Sequence, residues 1–127
     1  MTSILDTLLG ADLWGIQVLD KINGNFVKRN SLDDTAVTTT YDALDTDHII
    51  LCDATGGAFT VNLLAVATAV RRALWIVKTD ASGNAVTVDG AGSEKINNAT
   101  TQSLASRYSS IRIYPTATEW IILAKNL

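Results

Sequence analysis

Apolar side chains recur at two different intervals along this chain, and the change falls near residue 30. In the first region Ser3 is placed to cap a turn holding Ile4, Leu5, Leu8 and Leu9, and Gly10 suits a helix stop. Asp12 caps a second segment in which Trp14, Val18, Ile22 and Phe26 return every four residues, with Leu19 beside them. That interval lines one face of a helix, which Gly24 ends or frays. The stripe can be buried against the chain's own β domain, in a threefold bundle, or in a groove on another protein, and its spacing does not choose among them. Residues 30–36, NSLDDTA, carry the polar side chains of a linker. Residues 1–36 are therefore expected to form a short helical N-terminal arm with its linker, and residues 37–127 a β domain.

Beyond the linker the interval becomes two. Strands are expected at Val37–Leu44, His48–Asp53, Phe59–Leu63, Ala73–Thr79, Ala85–Asp89, Glu94–Asn97 and Thr101–Ala105, followed by a closing hairpin of Ser110–Tyr114 and Glu119–Ala124. Turn formers separate them: Thr55-Gly56-Gly57, Asp80 to Asn84, Asp89 to Gly92 and Pro115 to Thr118. Residues 65–72, AVATAVRR, read as a single short crossing helix. Many short strands with frequent turns predict a mainly β fold, an antiparallel sandwich or barrel.

Composition narrows the classes of function. A chain of 127 residues buries roughly two-thirds of its unfolded surface, so it needs no metal or disulfide to hold it. Hydrophobic residues make up 47% and charged ones 18%, which argues against disorder and leaves a surface short of charge, part of it expected to meet another subunit. A net charge of -3 is the wrong sign for tracking phosphates, so no nucleic-acid partner is expected. Cys52 is the single cysteine, which rules out an intramolecular disulfide. MTSILDTLL lacks the basic region and apolar run of a signal peptide, and no stretch reaches the ~20 apolar residues of a membrane span. The chain is expected to be made in the cytoplasm, soluble, with no membrane partner and no cofactor.

Candidate chemistry is sparse. His48 and Cys52 share a strand face and could in principle pair as base and thiolate, but i to i+4 along a strand is ~13 Å, too far for contact, so a strand-edge His beside a buried Cys is the expected reading. Asp80, Asp89 and Glu94 lie around turns, where acidic side chains satisfy backbone donors; a calcium site would need them clustered, and the spacing of an EF-hand is absent. Asn98-Ala99-Thr100 matches a glycosylation sequon, a pattern common by chance. The glycines of DGAG do not follow a dinucleotide-binding spacing. Arg71 and Arg72 are expected at a solvated helix end. Trp75 and Trp120 sit in apolar strand patterns and are expected in the core, whereas Tyr108 and Tyr114 are freer. No catalytic, cofactor or metal residue is assigned, and the chain is expected not to be an enzyme.

From Tyr41 to Leu123 the segments YDALDTDHIILCDATGGAFTVNL, ALWIVKTDASGNAVTVDGAGSEKINNATTQSL and YSSIRIYPTATEWIIL resemble a β module recurrent in bacteriophage tail fibres, tail spikes and other virion surface proteins. Its marks are a strand ending in Asp before a Gly-rich turn, a strand leading to KTDxSxNxVTVDG, a GSExI turn and a closing hairpin with Trp120. LDKINGNF near the N-terminus is similar to the KINxNF stretch that opens many phage fibre and baseplate chains. Leu64 stands where such modules tend to carry proline. The resemblance implies a structural role in the virion, commonly as a homotrimer. A single β module without sustained heptads is too short to span a fibre, which ranks a capsid decoration (cement) protein on the major capsid protein ahead of a tail-fibre or tail-adaptor part that engages tail proteins or a host glycan. The arm residues Trp14, Val18, Leu19, Ile22 and Phe26 are then the expected anchor to the capsid or tail.

Overall fold

The computed structural model describes residues 34–127, and the helical arm with its stripe of Trp14, Val18, Leu19, Ile22 and Phe26 lies outside the described residues. Among the described residues nine strands run in chain order: β1 (Asp34–Val37), β2 (Tyr41–Asp42), β3 (Ile49–Cys52), β4 (Phe59–Asn62), β5 (Leu74–Lys78), β6 (Val86–Asp89), β7 (Thr101–Leu104), β8 (Ser110–Pro115) and β9 (Trp120–Asn126). Within them most residues that alternate inward are β-branched or apolar, as in Phe59 and Val61, Leu74 and Ile76, Val86 and Val88, or Ile111 and Ile113. Period-two burial of this kind is what makes a segment a half-buried strand.

The strands form two sheets, one of order β1-β3-β5-β8-β9 and one of order β2-β4-β6-β7. The chain alternates between them for three successive turns, β1 to β2, β3 to β4 and β5 to β6, each turn stacking on the one before. As a result β1, β3 and β5 pair in parallel, and so do β2, β4 and β6. Only then does the direction reverse, with β7 antiparallel to β6, β8 to β5 and β9 to β8. Inward residues of both sheets, among them Ile50, Cys52, Val61, Ile76, Val86, Val88, Leu104 and Ile111, join one core.

The mainly β reading therefore holds, while several finer expectations do not. The sheets are mixed rather than antiparallel, and neither closes into a barrel. Alternation of apolar and polar residues reports which side of a strand is buried; it is blind to the direction of the neighbour, which contacts distant in sequence choose. Thr55-Gly56-Gly57 is the turn between β3 and β4, as expected, and it turns a corner between the two sheets, with Gly57 at φ 149° and its N–H donating to the Ala54 carbonyl at 3.0 Å. Residues 65–72 form no helix: the bond from Ala69 N to Ala65 O is not continued, and Val66, Thr68 and Val70 are β-branched in a stretch too short to nucleate one. Finally, residues 34–36 of the expected linker belong to β1, where Thr35 faces inward and its hydroxyl finds Asp47. The strand expected over Val37–Leu44 is split between β1 and β2, and Glu94–Asn97 contributes only isolated bridges at Ile96.

Candidate functional site

The polar residues that most resemble a site lie at the end of β5 and the turn after it. Position 78 faces inward by strand parity after Leu74 and Ile76, so its lysine is fully buried. A buried ammonium must place all three of its protons. Lys78 Nζ donates to the Asp80 carboxylate Oδ2 at 2.8 Å, to the Asp80 carbonyl at 3.0 Å and to the Ser82 carbonyl at 3.0 Å. Asp80 Oδ1 receives the Ala54 N–H at 2.7 Å, while Oδ2 also receives the Ser82 N–H at 2.9 Å and the Ser82 hydroxyl. Asn84 completes the cluster by donating its amide to the Ala54 carbonyl at 2.8 Å. Burial alone would raise the Asp80 pKa, but the bonds from Lys78, Ser82 and Ala54 outweigh it and hold the carboxyl well below its ordinary range. The four side chains of KTDASGN thus clamp the turn after β5 to the corner after β3, with every donor of Lys78 in use.

Asp47 makes a second knot that the sequence reading did not single out. Its carboxylate accepts the Thr35 hydroxyl at 2.8 Å, the Tyr41 hydroxyl at 2.9 Å and the Leu44 N–H at 2.8 Å. Burial and the Asp47 carboxylate together push the Tyr41 phenol up to about 12. This knot fastens β1 and β2 to the loop entering β3. Nothing in the local pattern marked it, because Thr35, Tyr41 and Asp47 meet only once the chain has coiled back on itself.

The residues considered for catalysis or metal binding are dispersed. Cys52 is buried on the inner face, beside Lys78 in the β3–β5 ladder, and burial with the charge of Asp80 pushes its thiol up to about 12. It is a thiol at neutral pH and not an activated nucleophile. No hydrogen bond joins it to His48 among the described residues. The three acids go to separate uses: Asp80 to the clamp, Asp89 to the outward row beside Asn62 and Thr101, and Glu94 to the Val66 N–H at 3.0 Å. Among the described residues no group of three or more potential ligands is disposed to hold a metal ion. Asn98 of the sequon is exposed, with a positive φ of 68° in the turn after Ile96.

Two expectations about side chains are corrected. Arg71 and Arg72 do not end a helix. Arg71 Nη1 donates to the Pro115 carbonyl at 2.6 Å and Arg72 Nη2 to the Asp45 carbonyl, which ties the β4–β5 connection to two other segments. Trp120 is buried as expected, its indole N–H donating to the Leu64 carbonyl at 3.2 Å, but Trp75 points outward from β5 with the Arg112 guanidinium 5.9 Å above its ring. Trp75 lies one position from Leu74 and Ile76, so strand parity puts it on the opposite face. Tyr108 is exposed and carries Arg107 at 4.9 Å from its ring.

A shallow cleft lies between the β2–β3 and β4–β5 connections, lined by Leu44, Asp47, Leu64, Val70, Arg72 and Trp120 among others, with about 20 Å³ of water-sized interior. Arg72 Nε is buried at its wall and has no protein partner among the described residues. A single water fits that volume and that donor. Compared with protein-family models and with curated proteins, the chain matches none.

Proposed function

We propose that this chain is a non-enzymatic structural protein of a bacteriophage virion, a homotrimeric capsid decoration (cement) protein that binds the head surface, with its N-terminal arm as the anchor. The observation that carries the reading is the use made of the KTDxSxN segment. The residues that most mark the likeness to virion β modules put their polar groups into the turn clamp, so the motif supports architecture rather than chemistry. A small β unit of this kind suits repeated placement on a shell.

Composition analysis of purified particles tests the reading. Hundreds of copies per particle are expected for decoration, and a copy number that is a small multiple of three or six assigns the chain to the tail instead. Absence from particles overturns the virion role altogether. The tail-fibre or tail-adaptor alternative, with host-glycan binding, has one specific observation in its favour: the exposed ring of Tyr108, held at φ 65° beside Arg107. Glycan-array binding lost on Tyr108→Ala would favour it.

A further inference from the structure

The two sheets differ sharply in what they turn outward. On the four-stranded sheet the outward rows run Asp42–Asn62–Asp89–Thr101 and Thr60–Thr87–Ser103, polar throughout. On the five-stranded sheet they run Asp34–Ile49–Trp75–Arg112–Ala124 and Ala36–Leu51–Val77–Ser110–Asn126. Here the centre is apolar, with Ile49, Leu51, Trp75 and Val77 half-buried on the surface of the single chain. One chain with a solvated face on one sheet and an apolar face on the other is built to cover the second.

The charges on that face say what covers it. Asp34 stands on edge strand β1, and Arg112 lies three strands away in the same row, a separation of ~14 Å from the interstrand spacing. Both are exposed, and among the described residues the single ion pair is the buried one between Lys78 and Asp80. The face therefore carries an acid at one border, a base toward the other, and apolar residues between, which makes it complementary to itself. We propose that the outer face of the five-stranded sheet is the surface through which copies of this chain associate, the Asp34 border of one copy meeting Arg112 of the next around a closed ring. Head-to-tail contacts of this kind repeat one joint at every subunit and close when the rotation allows, as in a trimer. The inference rests on the self-association in the reading above and not on the particle role.

Sedimentation velocity and native mass measurement of the full chain test it. The wild type is expected to be a trimer at micromolar concentration. Asp34→Arg and Arg112→Asp, each placing like charges at the joint, are expected to weaken association by at least about tenfold. Combining the two is expected to restore it. Leu51→Glu with Val77→Glu is expected to give a monomer whose thermal midpoint and circular dichroism match those of the wild-type fold. A monomeric wild type overturns the proposal. So does a trimer indifferent to the single charge reversals, or reversals that the double swap does not rescue; should that chain still enter particles, the virion reading survives while this face loses its role.

Discussion

Lys78 shows how a single side chain decides the interior of this molecule. An inward lysine costs several kcal/mol in desolvation unless it is paired and fully hydrogen-bonded, and the turn that follows supplies Asp80 and two carbonyls within four residues. Lys78→Ala removes the cation but leaves Asp80 buried among backbone donors, so a loss of about 3–5 kcal/mol in unfolding free energy is expected by urea titration. Asp80 also sets a pH dependence. Its folded pKa is depressed, so the stability it contributes is present above the unfolded value, near 4, and is lost as pH falls below it. Thermal midpoints measured from pH 6 down to pH 2 should therefore fall steeply for the wild type and more gently for Asp80→Asn, which starts lower. Equal slopes for the two would show that another carboxylate governs acid unfolding. Cys52, a buried thiol with a raised pKa, is expected to resist a thiol reagent in the native state and to react at once in denaturant, a contrast read directly by absorbance.

At the scale of elements, the corners carry more information than the strands. Most strand segments follow from the alternating pattern within a residue or two, as at His48–Asp53 for β3 and Ala85–Asp89 for β6, while Val37–Leu44 and Glu94–Asn97 do not. The connections did not. Residues 65–72 looked helical from composition, yet the Val66 N–H is taken by the Glu94 carboxylate and Arg71 reaches to Pro115, partners 28 and 44 residues away that no local window contains. The turn after β6 makes the same point through a glycine. A Cβ at Gly90 would collide with the backbone carbonyl of Glu94, because the strand end and the GSE turn approach each other there without room for a side chain. Gly90→Ala is therefore expected to cost ~1–3 kcal/mol by overpacking, whereas Gly56→Ala, at a site with open space around it, is expected to cost less. Chemical denaturation of the two variants compares them, and equal losses would remove the steric account.

For the whole molecule, the position of β1 sets where the β unit begins. Residues Asp33–Leu127 cluster as one unit, and β1 pairs with β3 along its length from Asp34↔Ile49 to Val37↔Cys52. Removing residues 1–32 should leave a cooperative thermal transition, whereas removing residues 1–36 deletes the Thr35 bond to Asp47 and most of an edge strand. The second truncation is expected to melt several degrees below the first. Identical midpoints would mean that β1 contributes nothing to the fold, and loss of cooperativity in the first would mean that the β unit depends on the arm.

By itself the sequence determined the class of structure: the positions of most strands, the inward parity of Val61, Val86, Val88, Ile111 and Ile113, the buried Trp120 and the turn-forming acids. Those properties follow from intervals of two and from turn chemistry, which are local. Tertiary structure decided that the first six strands coil between two sheets and pair in parallel, that Trp75 faces outward above a charge-bordered apolar surface, and that Lys78 can be buried at all. Each depends on a neighbour far along the chain. A strand's alternation is the same whether its partner runs parallel or antiparallel, so the pairing is set by which distant segments together bury the most apolar surface with every buried polar group satisfied.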